Sequence, residues 1–164
     1  MLDPITDGRP SDSEVDDLAS SVAETLRAQD RSLAVAESLT GGLLANAFAR
    51  ADGAAQWFRG GVVAYASEVK HDLLAVPSGP VVSEDAAVAM AEAAARLLHA
   101  DVAIAVTGVG GPDPQDGQPP GTVWLAVTIG GETRSELHRF DGGPPDVCDQ
   151  TVVAALRRVL ATIG

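Results

Sequence analysis

Four hydroxyl groups and one amine stand at junctions of the chain where chemistry could take place: Ser38, Thr40, Tyr65, Thr107 and Lys70. Ser38 and Thr40 belong to the stretch Val35–Phe48, VAESLTGGLLANAF, just before Gly41-Gly42. After the glycines, apolar residues recur at Leu44, Ala47, Phe48 and Ala51, which is helical spacing. The stretch reads as strand, tight polar turn and helix. A helix start offers unpaired N–H groups and the positive end of a dipole, and glycines let a ligand approach that backbone. A hydroxyl on the turn can then attack a group held there. The structural alternative is that Ser38 or Thr40 caps a buried helix.

Arginine occurs ten times and lysine once, at Lys70, five residues after the only tyrosine, Tyr65. Arginine keeps its proton in a protein, whereas a desolvated lysine can act as a base. Biased residue usage with one lysine left by chance accounts for the count equally well. Gly108-x-Gly110-Gly111 follows an apolar run without the Gly-Lys-Ser/Thr of a Walker loop, and prolines stand where a dinucleotide-binding helix would start. It reads either as an anion-binding nest of backbone amides or as a flexible surface loop. His71, His99 and His138 lack metal-ligand spacing, and no metal or cofactor is expected. Cys148 reads as a packed thiol.

The elements that must position these groups follow from periodicity. Residues 1–10 read as a tail. Ser11-x-x-Glu14 resembles a capping box before a helix with Val15, Leu18, Val22 and Leu26 on its apolar face. Ser32–Ala36 is a short buried strand. Trp57–Ala66 reads as a strand with a bulge or close approach at Gly60-Gly61. Ser67 is expected to cap a helix over Ser67–Leu74, and Ser83 the next helix, with Val88, Ala91, Ala95 and Leu98 as its buried stripe. Val102–Val106 is a fully buried strand, followed by the polar loop Gly108–Gly121, which is too long to be a simple connection. Thr122–Ile129 and Glu132–Asp141 form a hairpin about Gly130-Gly131, and Val152, Leu156, Val159 and Ile163 face the core from the last helix. The order predicts a single three-layer α/β/α domain over residues 11–164 with a mixed, mostly parallel sheet. Ser38, Tyr65 and Thr107 each fall at the C-terminal end of a strand, where open α/β sheets bind ligands.

Composition bounds the function. The chain has 164 residues, 46% hydrophobic but only 4% aromatic, so Ala, Val and Leu must build the core. A net charge of -12 argues against a broad nucleic-acid or anionic-membrane surface. One cysteine excludes an intramolecular disulfide framework. No run is long enough for a membrane span and no signal pattern opens the chain, so a cytoplasmic protein is expected. That charge leaves room for a small anionic ligand in one local pocket.

The motifs AESLTGG, FRGGVVAYASEVKHDLLAV, VTGVGGPD and PPGTVWLAV, in that order, resemble the CinA C-terminal domain family of nicotinamide-nucleotide amidases. The resemblance runs from about Val35 to the last helix. It suggests the stand-alone form, without a molybdopterin-binding-like domain. It implies a small nucleotide substrate and further copies of the chain as partners, and hydrolysis of the carboxamide of nicotinamide mononucleotide (NMN) to nicotinate mononucleotide and ammonia. Ser38 matches the serine of the family's AES-x-TGG motif, Tyr65 and Lys70 its Tyr and Lys, and Thr107 the residue before its glycine loop. In this reading Ser38 attacks, and Lys70 or Tyr65 takes the proton. Thr40, Gly41 and Gly42, or Gly108, Gly110 and Gly111, hold the oxyanion and phosphate. The sequence departs from the family at Leu39, Ala54-Ala55 and Gln118. It also departs at Pro144 and Cys148, where the family has two arginines. Arg59, Arg134 and Arg139 are the candidates to replace them, and a slow enzyme is expected. A silent pyridine-nucleotide binder or a competence-associated interaction protein are the alternatives.

Overall fold

Residue size alternates along the central strands, and this alternation builds the two sides of the sheet. The computed structural model describes residues 10–164. The tail expected over residues 1–10 therefore lies outside the described residues except for Pro10. Strand β1 (Leu33–Glu37) pairs in parallel with β2 (Phe58–Val63) and with β3 (Val102–Gly108). Strands β4 (Thr122–Ile129) and β5 (Glu132–Arg139) add two antiparallel pairings, giving the order β2-β1-β3-β4-β5. Only β4 runs against the rest, so the sheet is mixed and mostly parallel, as expected.

Leu33, Val35, Val102, Ile104 and Val106 point to one face, with Val123, Leu125 and Val127 from β4. Helices α1 (Asp12–Ala28), α2 (Leu43–Ala49) and α6 (Pro144–Ile163) cover it. Ala34, Ala36, Ala103, Ala105 and Ala126 line the opposite face. Against them packs α5 (Glu84–Leu98) through Ala86, Ala87, Met90, Ala91, Ala93 and Ala94. Alanine on both surfaces lets helix and sheet approach closely, and leaves no slack for a larger side chain. This buried face is wider than the expected stripe. Of Val88, Ala91, Ala95 and Leu98, only Ala91 is fully buried and the others pack at the margin.

Caps explain where most elements begin. Ser11 accepts from Glu14 N at 3.2 Å, but the Glu14 carboxylate turns away to Arg157, so half of the expected capping box forms. Ser83 caps α5 by accepting from Ala86 N at 3.1 Å. Ser67 does not cap α4 (Ser67–Asp72); Ala66 holds that position without a side-chain bond, and Ser67 is already helical. A short helix α3 (Ala54–Trp57) takes the first residues read as strand. Trp57 packs there against Phe48 and Phe58, with ring centroids 6.0 and 5.9 Å away. A register irregularity between β1 and β2 falls beside Gly60, where an irregularity was expected. Gly130 and Gly131, at φ 60 and 83, make the two-residue hairpin turn.

Replacing Ala105 with Leu is expected to lower unfolding free energy by ~1–3 kcal/mol in urea melts, because the alanine face cannot open without displacing α5. Leu137→Ala, on the exposed side of β5, is expected to change it by no more than ~0.5 kcal/mol.

Candidate active site

The three parallel strands end at one edge of the sheet, and a cleft of about 200 Å³ opens there. Ser38 and Leu39 line it from the end of β1, Tyr65 from the end of β2 and Lys70 from α4. Gly108, Gly110 and Gly111 line it from the end of β3, and Pro144 and Cys148 from α6. Two larger clefts, of about 590 and 610 Å³, lie along α6 and at the opposite edge of the sheet. Their charged groups are mostly surface residues, several already paired, such as Arg157 with Glu14, and neither cleft is lined by a buried polar side chain.

Glu37 organises the turn that carries Ser38. It is fully buried at the end of β1. Its Oε1 accepts from the Thr40 hydroxyl at 2.8 Å, Gly42 N at 2.7 Å and Leu44 N at 3.2 Å, and its Oε2 accepts from Ala45 N at 2.8 Å. Gly41 and Gly42, at φ 56 and 107, supply the left-handed backbone that wraps the chain around this carboxylate. A carboxylate at a helix start satisfies orphan donors and favours the dipole together. The arrangement corrects one expectation. The helix start after Thr40 has no donors left for an oxyanion or phosphate, since Gly41 N bonds Ser38 O and Leu43 N bonds Thr40 O. Thr40, Gly41 and Gly42 build the turn and do not line the cleft. The sequence held the signal: an acidic residue three positions before a Thr-Gly-Gly helix start.

Ser38 is 4% exposed, and its hydroxyl makes no hydrogen bond among the described residues. It is free for a ligand. The N–H groups of Leu39, Gly110 and Gly111 likewise donate to nothing among the described residues. These three residues line the cleft beside Ser38.

Lys70 is 3% exposed, and its Nζ donates to Thr107 Oγ1 at 3.2 Å. Thr107 in turn donates its own proton to Val81 O at 2.6 Å. Thr107 can therefore only accept from Lys70, which leaves the amine lone pair open. Among the described residues no carboxylate forms an ion pair with the amine. Burial lowers its pKa from 10.5 to about 8, opposed by the charge of Asp116. Asp116 is held by Val81 N at 2.8 Å and Val82 N at 3.0 Å. It sits with Gly117 in a two-residue turn closed by a bridge between Gln115 and Gln118. Asp-Gly is a strong turn signal, so the tip of the long loop was readable, though its approach to Lys70 was not.

The remaining predicted residues fall in different places. Thr107 lies beneath the cleft, fully buried, and positions Lys70. Tyr65 is 73% exposed at the rim and makes no side-chain hydrogen bond among the described residues, so nothing ties it to Lys70 or to Ser38. Lys70 is bonded to Thr107 and not directly to Ser38. Cys148 donates to Leu39 O at 3.1 Å, and burial and then Asp149 raise its pKa, keeping it a thiol. No arginine among the described residues lines the cleft: Arg59 bonds Leu98 O, and Arg134 pairs with Glu132 at the surface. The expected replacement by Arg59, Arg134 or Arg139 does not occur.

Fold and site together define an α/β domain with a ligand cleft at the carboxyl ends of its parallel strands. No helix among the described residues is long and apolar enough to cross a membrane. The chain belongs to the CinA C-terminal domain family, whose sequence profile matches residues 15–163. It is 40% identical over 146 residues to a competence-damage inducible protein of Streptococcus agalactiae serotype III, covering 76% of this chain and 35% of that protein. It is 40% identical over 154 residues to a CinA-like protein of Frankia casuarinae, covering 89% and 36%. The chain thus spans about a third of the length of these curated relatives. A CinA superfamily structure from Escherichia coli superposes with a TM-score of 0.88 at 34% identity, covering 94% of each chain. One from Enterobacter cloacae gives 0.89 at 29%, covering 100% and 99%.

Two outcomes follow. Glu37→Ala leaves a hydroxyl and three N–H groups without an acceptor and is expected to cost ~3 kcal/mol or more in chemical denaturation. Thr40→Ala should cost only ~1 kcal/mol. For Lys70, both folded and unfolded states are protonated below pH 8, so the folded state bears the whole cost of burying the charge, about 3 kcal/mol. Between pH 8 and 10.5 the unfolded state binds more protons, so stability rises with pH. Lys70→Met is expected to abolish that rise and to be more stable than the natural chain at pH 7, as read from denaturation at both ends of the window.

Proposed function

We propose that this domain is a serine-dependent amidase that hydrolyses the carboxamide of NMN to nicotinate mononucleotide and ammonia, slowly. The observation that carries the reading is Lys70, the only lysine in the chain, buried in the same cleft as Ser38 with its pKa lowered to about 8. Burying an unpaired amine destabilises the fold, so its presence calls for a use in the cleft.

Ser38 Oγ attacks the carboxamide carbon and its proton passes to neutral Lys70, through one water because the two side chains are not directly bonded. Negative charge gathers on the carboxamide oxygen as the tetrahedral intermediate forms. The N–H groups of Leu39, Gly110 and Gly111 are the unspent donors that would hold it. The intermediate collapses by breaking the C–N bond, and Lys70 returns the proton to the departing nitrogen, which leaves as ammonia. Water then attacks the acyl–Ser38 ester with Lys70 again as base, releasing the carboxylic acid and restoring Ser38. Thr107 keeps the amine in place throughout without occupying its lone pair.

A second reading, a nucleotide binder without turnover, is favoured by one observation: among the described residues no arginine lines the cleft to hold the substrate phosphate. Ammonia release separates the two. Under the amidase reading kcat/KM for NMN rises with pH, about tenfold per unit, and levels above about pH 8, because the neutral amine is the working form. Ser38→Ala and Lys70→Arg should both lose turnover, the second because a guanidinium does not give up its proton. Full activity in Ser38→Ala would reduce Ser38 to a turn residue and end the proposal.

A further inference from the structure

We infer that the cleft selects a carboxamide on a cationic ring whose sugar carries no phosphate, the pyridine nucleoside in preference to its monophosphate. This rests on the amidase reading of the same site and concerns the wall formed by α6.

Proteins hold a phosphate with guanidinium or ammonium groups, or with free N–H groups at a helix start. Among the described residues, those of α6 that line the cleft offer none of these. Its residues in the cleft are Pro144 and Cys148. Pro144 and Pro145 are the first two residues of the helix, and neither has an N–H to donate. The carboxylate of Asp146 accepts from Gly143 N at 2.8 Å, so the helix start already holds an anion. The Val147 N–H is taken by Gly143 O at 3.0 Å. A phosphate here would meet proline rings, a thiol and a negative charge.

The opposite lip points the same way. Asp113 lines the cleft, and Asp116 lies close enough to Lys70 to act on its charge. Among the described residues Lys70 is the single cation lining the cleft, and it is buried, beginning to lose its charge near pH 8, and tied to Thr107. The free N–H groups of Gly110 and Gly111 are engaged by the carboxamide oxygen in the proposed reaction. A pyridinium ring carries a positive charge that Asp113 attracts, whereas a phosphate on its sugar adds negative charge to a cleft already acidic. The carboxamide end is thus recognised by Ser38, Leu39 and the glycine loop, and nothing rewards the phosphate end.

The test is calorimetric titration of the Ser38→Ala protein with nicotinamide riboside and with NMN, beside ammonia release by the natural chain on both. The riboside is expected to bind at least as tightly as the mononucleotide. A Pro144→Arg/Cys148→Arg change should tighten NMN by about tenfold or more, and leave the riboside within about threefold. NMN binding tenfold tighter than the riboside, or kcat/KM for NMN tenfold higher in the natural chain, overturns the inference while leaving the amidase reading intact. Riboside-favoured binding with no ammonia from either compound supports the inference and overturns the amidase reading. Binding of neither at millimolar concentration overturns both.

Discussion

A carboxylate sealed from water holds the cleft edge of this domain together. Glu37 ends β1 pointing to the side where α2 must start, and three backbone N–H groups and one hydroxyl converge on it. Burying a carboxylate is costly unless its lone pairs are filled, and here both oxygens are. The chain after β1 is thereby confined to one path. That path turns Ser38 and the Leu39 N–H into the cleft and spends the donors of the helix start internally. The unspent N–H groups are left on the glycine loop after β3 and on the turn around Ser38. The shape of this edge follows from how one acid is satisfied.

The second constraint is the thinness of the alanine face. Alternation along β3 sets Ala103, Ala105 and Thr107 on the same side. The alanines let α5 settle onto the sheet, and Thr107 extends that row to the strand end, where Val81 and Lys70 meet it. Had a larger residue stood in the row, α5 and the segment after α4 would stand further out. The amine would then be less deeply buried and its pKa less lowered. A packing choice in the sheet interior thus tunes the acidity of a group at its rim.

Most of the architecture was readable because its signals are local. Helical spacing, strand alternation and the Gly-Gly hairpin gave the element order, and of the strand-end residues Ser38, Tyr65 and Thr107 the first two line one cleft while Thr107 lies beneath it. What was missed was decided by partners far away in sequence. The role of Glu37 depends on how the turn folds back on the carboxylate. Asp116 reaches Lys70 only through Val81 and Val82, which no period or motif places beside it. Ser67 looked like a cap, but Ala66 takes the extended position and the serine enters the helix. The buried face of α5 was misjudged because alanine-rich helices offer little contrast between faces.

That the single lysine is buried gives this surface an unusual covalent chemistry. Every exposed cation in the described residues is a guanidinium or a histidine, and guanidinium groups do not react with acylating reagents under mild conditions. Apart from the chain's own α-amino group, the only primary amine is the one inside the cleft. Amine-directed labelling of the folded protein therefore reports access to that cleft, one adduct at a time. The mass of the product counts open sites directly. A ligand seated over Lys70 would register as protection, against the α-amino adduct as the one background to subtract.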